Sequence, residues 1–148
     1  MSFRLNKYQL EKYSRQIILK DVGALGQKKI IKSKVLIVGM GGLGCPVAEF
    51  LTRAGIGNIG IVDFDKVDLS NIHRQSLFNL KDLKKSKVVA AKKKLNKINT
   101  QTKVKCYNLK LNKKNQTKII KNYDYIVDGS DNFETKLLVN DFCKKYKK

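Results

Sequence analysis

The chain has 148 residues, 42% hydrophobic and 30% charged, which suits one globular domain with a single core and excludes a disordered chain. No apolar run approaches the ~20 residues that span a bilayer, and Cys45, Cys106 and Cys143 show no CxxC spacing, so a cytoplasmic chain with reduced thiols is expected. The net charge of +20 is almost all lysine, with only Arg4, Arg15, Arg53 and Arg74 as arginines, so it reads as a solvated surface, with neither a membrane nor nucleic acid as the expected partner.

In chain order, Leu10, Tyr13, Ile17 and Ile18 recur at helical spacing and predict a helix over 7–19. Gly23 and Gly26 interrupt it, and a short helix over 27–31 follows. Residues 34–39, KVLIVG, are a continuous apolar run ending in glycine, which predicts a buried central strand. A helix is expected over 45–54, with Pro46 in its first turn and Gly55 and Gly57 closing it. A second buried strand covers 59–63, a helix 87–98, a strand 103–107, a weak helix 115–121, a strand 123–128 and a last helix 133–146. Strands alternating with helices through short links mean an α/β fold: a Rossmann-like, doubly wound, mainly parallel sheet with an N-terminal helical extension. The whole of 1–148 reads as one domain, with N-terminal helices over 1–32 and a core over 33–148.

Gly39-Met-Gly41-Gly42-Leu-Gly44 matches G-x-G-x-x-G between a strand and a helix. Such glycines allow a tight turn and close approach of a phosphate, which the N–H groups of the helix terminus then meet. Asp63 ends the second strand, where a carboxylate accepts from ribose hydroxyls. Together they predict an adenine nucleotide at the carboxyl ends of the strands, and on these features alone NAD and ATP stand level. A polar stretch follows directly, holding Asp63, Asp65, Asp68, Ser70, Asn71, His73, Arg74 and Gln75. Lys87 opens the next helix, Asp128-Gly-Ser-Asp131-Asn132 follows the 123–128 strand, and Arg15 lies on the N-terminal helix. These groups suit a triphosphate, which needs cations and backbone N–H groups around it.

The segments YSRQIIL, GMGGLGCP, DFDKVDLSNIHRQ, the helix-opening Lys87 and DGSDNFETK resemble the ThiF/MoeB/HesA family of sulfur-carrier adenylyltransferases, related to ubiquitin-activating enzymes. The matching stretches are dispersed and ordered along the whole chain. The resemblance implies ATP-dependent adenylylation of the C-terminal glycine of a ubiquitin-like sulfur-carrier protein, of the thiamine or molybdopterin type, with release of pyrophosphate. It implies that Gly39, Gly41, Gly42 and Gly44 line the phosphates and that Asp63 holds the ribose, with Asp65 beside it. Ser70, Asn71 and Arg74 would surround the nucleotide, with Arg74 and Lys87 countering its charge. Asp131 would bind Mg²⁺ or orient the attacking carboxylate, with Asn132 beside it. Arg15 would serve the partner subunit's site, which implies a homodimer, and a sulfur-donor protein would act after adenylylation. Members of the family continue for a further substantial portion that carries paired CxxC zinc ligands, and the zinc site has no counterpart in this chain. Other readings remain open: a tRNA-modifying relative, a nucleotide-binding module without turnover, or a nicotinamide-dependent oxidoreductase.

Plainer roles stand beside these. His73 reads as loop filler, Lys87 as one more lysine, and Arg15 as a partner for Glu11 one helical turn earlier. Cys45 reads as a small packed residue, although a helix N-terminus can lower a thiol pKa. Cys106 and Cys143 read as core.

Overall fold

The computed structural model describes residues 4–148, so the first three residues of the expected helical extension lie outside the described residues. The helix expected over 7–19 is two short helices, α1 (Lys7–Lys12) and α2 (Ser14–Ile17). Asn6 starts α1 with a reciprocal cap: its Oδ1 accepts from the Gln9 N–H at 2.9 Å and its own N–H donates to Gln9 Oε1 at 3.1 Å. The break falls at Tyr13, which is buried while Leu10 and Ile18 stay exposed. Its hydroxyl accepts from Asn99 Nδ2 at 3.1 Å, and Lys12 Nζ donates to Asn99 Oδ1 at 2.9 Å, so long-range polar anchors replace the expected apolar stripe. The next helix, α3 (Gly23–Lys32), is longer than expected and contains both Gly23 and Gly26, the expected interruptions. Gln27 holds it down from a fully buried position, donating through Nε2 to the Ala54 carbonyl at 3.0 Å.

The remaining elements are β1 (Lys34–Val38), α4 (Gly44–Ala54), β2 (Asn58–Val62), α5 (Lys87–Ile98), β3 (Lys103–Tyr107), α6 (Gln116–Ile120), β4 (Tyr125–Asp128) and α7 (Phe133–Tyr146). The fourth strand begins two residues later than expected, and Tyr123 instead packs ahead of it. All strands are parallel, in the order β3-β2-β1-β4, and the α/β class is as expected.

Period-two alternation divides the core between the two faces of the sheet. Val35, Ile37, Ile59 and Ile61 join Ala48 of α4 and Val88, Ala91 and Leu95 of α5 on one face. Leu36, Val38 and Val62 join Ile119 and Ile120 of α6 and Val139 and Phe142 of α7 on the other. Leu36, Ile37 and Ile61 are fully buried, each worth roughly 1.5–3 kcal/mol relative to exposure. Cys45 is buried in the first cluster, whereas Cys106 and Cys143, read as core, are half-buried at the cluster rims.

The chain runs outward from β1 through β2 to β3, then returns to place β4 on the other side of β1. The direction of winding reverses between β1 and β4, and at such a point the loops leaving the two strands diverge and open a crevice at their carboxyl ends.

Candidate functional site

The two loops that part at this crevice are anchored to the strand ends. The Gly39 N–H donates to the Val62 carbonyl and the Gly129 N–H to the Val38 carbonyl, each at 2.8 Å. Gly39 has a φ of +90°, and a Cβ there would lie 2.8 Å from the Gly129 carbonyl oxygen. Gly44 is tighter still, since a Cβ would meet the Gly39 oxygen at 1.9 Å. These two glycines hold the turn closed by backbone contact alone, while nothing lies within 4 Å of a Cβ at Gly41, which faces open space.

Between the loops lies a cavity of about 480 Å³, large enough for a nucleotide-sized ligand. One wall is Gly39, Gly41 and Gly42, and the opposite one is Ser130, Asp131, Asn132 and Thr135. Asp63, Phe64 and Asp65 enter from the end of β2, Asn71, Arg74 and Gln75 from the polar stretch, Lys87 from α5, and Leu109, Lys110 and Leu111 from the loop after β3.

Asp63 organises the floor. Its Oδ2 accepts from the Met40 N–H at 2.7 Å and its Oδ1 from the Asp65 N–H at 2.8 Å, so one carboxylate ties the glycine turn to the β2 loop. Lys87, the first residue of α5, has its side chain buried, and Nζ meets Asp65 Oδ2 at 2.9 Å. Its backbone N–H donates to the Asp65 carbonyl at 3.0 Å. A chain of contacts therefore runs from Met40 through Asp63 and Asp65 to the Lys87 ammonium, which is held at the cavity edge rather than free in solvent.

Arg74 is held differently. A short 3-10 turn, Leu69–Asn71, is capped by Asp68, whose Oδ1 accepts from the Ser70 N–H at 3.0 Å while the Asn71 side chain accepts from the Asp68 N–H. The Ser70 N–H, aided by Lys84, holds the Asp68 carboxyl below its ordinary pKa. The Ser70 carbonyl then accepts from an Arg74 guanidinium nitrogen at 2.7 Å. The arginine stem lies 3.7 Å from where a Gly42 Cβ would be, so it passes over the glycine turn. His73 is exposed, and its Nε2 lies 3.4 Å from an Arg74 guanidinium nitrogen.

On the opposite wall Asn132 caps α7, its Oδ1 accepting from the Thr135 N–H at 2.9 Å. Ser130 donates twice to Asp128, from its N–H at 2.9 Å and from its hydroxyl at 2.6 Å. That leaves Asp131 as the exposed carboxylate of this wall. The described residues hold no cluster of three or more His, Cys, Asp or Glu that could bind a metal by themselves. An exposed carboxylate at a nucleotide-sized cavity is compatible with Mg²⁺, which commonly takes one or two carboxylates and completes its shell with ligand oxygens and water.

Of the residues expected in the site, Gly39, Gly41, Gly42, Asp63, Asp65, Asn71, Arg74, Lys87, Asp131 and Asn132 all line this cavity. Gly44 and Ser70 do not; the first shapes the turn and the second orients Arg74 through its carbonyl. Arg15 is exposed, lies outside the cavity of its own chain, and makes no ion pair with Glu11 among the described residues. Gln75 and Ser130 belong to the polar stretches noted in the sequence without a role of their own, whereas Thr135 and the loop holding Leu109 and Leu111 carry no expectation as lining residues. The Leu109 loop is polar but carries no motif, and it reaches the cavity through the placement of β3. Burial raises the Cys45 thiol to about 11, despite its position near the start of α4, so it is a packing residue.

Comparisons with known proteins give the family and the fold. The ThiF family model matches residues 13–148. A sulfur carrier protein adenylyltransferase of Thermus thermophilus is 43% identical over 138 residues, which cover 93% of this chain and 51% of that protein. An adenylyltransferase and sulfurtransferase MOCS3 of Xenopus laevis is 48% identical over 132 residues, covering 89% of this chain and 29% of that protein. The chain thus spans about half of the first relative and under a third of the second. Among solved structures, E. coli MccB with ATP superposes with a TM-score of 0.80 at 31% identity, covering 95% of this chain and 44% of that one. The E. coli tRNA N6-threonylcarbamoyladenosine dehydratase TcdA, in complex with ATP, superposes with a TM-score of 0.88 over 98% of this chain and 59% of that one; at 21% identity the likeness is one of fold.

Proposed function

Because the chain belongs to the ThiF family, we propose that its cavity binds Mg-ATP and that it supplies the nucleotide-binding part of an adenylyltransferase acting on a ubiquitin-like sulfur-carrier protein. The observation that carries this reading is the convergence of the open glycine turn, Asp63, Arg74, Lys87 and Asp131 on one cavity where the sheet reverses. The glycine wall lets phosphate oxygens approach backbone N–H groups, and Arg74 and Lys87 bring positive charge to the same space. Asp63 has the acceptor oxygens that ribose hydroxyls need, at the end of β2.

In the reaction, a carboxylate oxygen of the carrier's C-terminal glycine forms a bond to the α-phosphorus. The P–O bond between the α- and β-phosphates breaks, and its electron pair leaves on pyrophosphate. Negative charge shifts onto phosphate oxygens, so prearranged cations and N–H donors are the groups that lower the barrier. Mg²⁺ at Asp131 would neutralise part of that charge. No nucleophilic side chain is required, in keeping with a buried, protonated Cys45. Arg15, exposed on α2, is proposed to act in the site of a second subunit of a homodimer.

Calorimetric titration of the chain with Mg-ATP and, separately, NAD tests the first step. Binding of Mg-ATP supports the reading, and binding of NAD in its place overturns it in favour of an oxidoreductase. Exchange of labelled pyrophosphate into ATP that depends on an added sulfur-carrier protein tests the reaction itself; absence of exchange by an ATP-binding chain reduces the role to nucleotide binding. The net charge of +20 favours one second reading, a tRNA substrate. RNA binding that falls steeply with salt would support it.

A further inference from the structure

We propose that the side-chain amide of Gln75 donates a hydrogen bond to the phosphates of the bound nucleotide, a role that rests on the ATP reading above. Gln75 lines the cavity and is only 3% exposed, yet its Oε1 has no hydrogen-bond partner. Among the described residues the rest of the amide is not engaged either. An unpaired buried polar group costs roughly 1–3 kcal/mol, and folded proteins rarely leave one without a partner. A partner arriving with the ligand removes that cost.

The position selects the ligand atoms. The Gln75 backbone N–H donates to the Asn71 carbonyl at 2.9 Å, which sets Gln75 one helical turn beyond Asn71 and directly after Arg74. Arg74 passes over Gly42 of the phosphate-facing turn, and Lys87 lines the same space. Groups drawn to this wall are anionic oxygens, which accept hydrogen bonds and donate none. A primary amide has two N–H donors, and a half-turn about its last bond exchanges the nitrogen and oxygen positions. Donation is therefore the sense in which the amide pairs with phosphate. A neutral donor also adds recognition without a further cation, whose own burial would carry a cost.

The test compares Gln75→Leu and Gln75→Glu with the wild-type chain, titrating each with Mg-ATP and with adenosine and measuring its urea midpoint. Leucine is expected to weaken Mg-ATP binding about tenfold and to leave adenosine binding within about twofold. Its urea midpoint should be unchanged or higher, because the unpaired amide is gone. Glutamate, an acceptor and an anion, should weaken Mg-ATP further than leucine does. Wild-type Mg-ATP affinity in the leucine variant overturns the proposal. Equal losses for Mg-ATP and adenosine, or a lowered urea midpoint that accounts for the loss, assign Gln75 a structural role and overturn it as well. Undiminished binding by the glutamate variant makes the group an acceptor for a metal-bound water and overturns donation. A wild-type chain that binds neither ligand removes the ATP reading itself, and this inference with it.

Discussion

Lys87→Met separates the work that Lys87 does for the fold from the work it does for a ligand. The ammonium sits 2.9 Å from Asp65 Oδ2, but that carboxylate is about half exposed, so the pair contributes at most about 1 kcal/mol to stability. Methionine fills the same buried volume, and the urea midpoint should move by an amount corresponding to less than about 1 kcal/mol. Nucleotide binding responds differently. Two unit charges 4 Å apart in surroundings of effective dielectric 20 attract by about 4 kcal/mol. Releasing Asp65 and shedding water return part of this, leaving a net contribution of about 2 kcal/mol, or roughly 30-fold in affinity. The substitution also leaves the Asp65 carboxylate unpaired beside the phosphates, so adding Asp65→Asn should restore part of the lost affinity. The assay is calorimetric titration with Mg-ATP on both variants, alongside urea unfolding. Affinity within about threefold of wild type for Lys87→Met, in a chain of normal stability, would refute the assignment of Lys87 to the phosphates.

Three further outcomes follow from the geometry. Gly44→Ala places a Cβ 1.9 Å from the Gly39 oxygen; neither backbone can yield, so a loss of about 3 kcal/mol or more is expected, with Mg-ATP binding abolished, read by urea unfolding and titration. Asn132→Ala removes the cap of α7 and should cost about 1 kcal/mol, lowering Tm by about 3 °C, while Asn132→Asp keeps the cap and the melting temperature. Cys45 should resist alkylation at pH 8 in the native chain while Cys106 and Cys143 react faster, because burial holds its thiol protonated up to about 11. The unfolded thiol ionises first, near 9, so this group's contribution to stability is complete below that pH and declines as pH rises towards 11; rapid native labelling of Cys45 would refute its burial.

Sequence patterns determined the order of elements and the parallel sheet, which rest on local chemistry, and with the family resemblance they pointed to ten of the lining residues. A short apolar run ending in glycine points to a buried strand meeting a turn, and G-x-G-x-x-G after such a strand points to a turn that permits close approach. Asp63 was legible for the same reason, being the polar residue that ends an apolar run. The tertiary structure alone decided what these residues touch. Tyr13 breaks the N-terminal helix because Asn99, 86 positions away, holds its hydroxyl, and no periodicity within 7–19 carries that information. Lys87 stands out from its fellow lysines because it is buried against Asp65, 22 positions earlier. Leu109 and Leu111 reach the cavity because β3 pairs beside β2, and Ser70 stays out of it because its carbonyl is spent on Arg74. Local chemistry sets which groups a segment offers; the closing of loops around the reversal of the sheet sets which of them share one space.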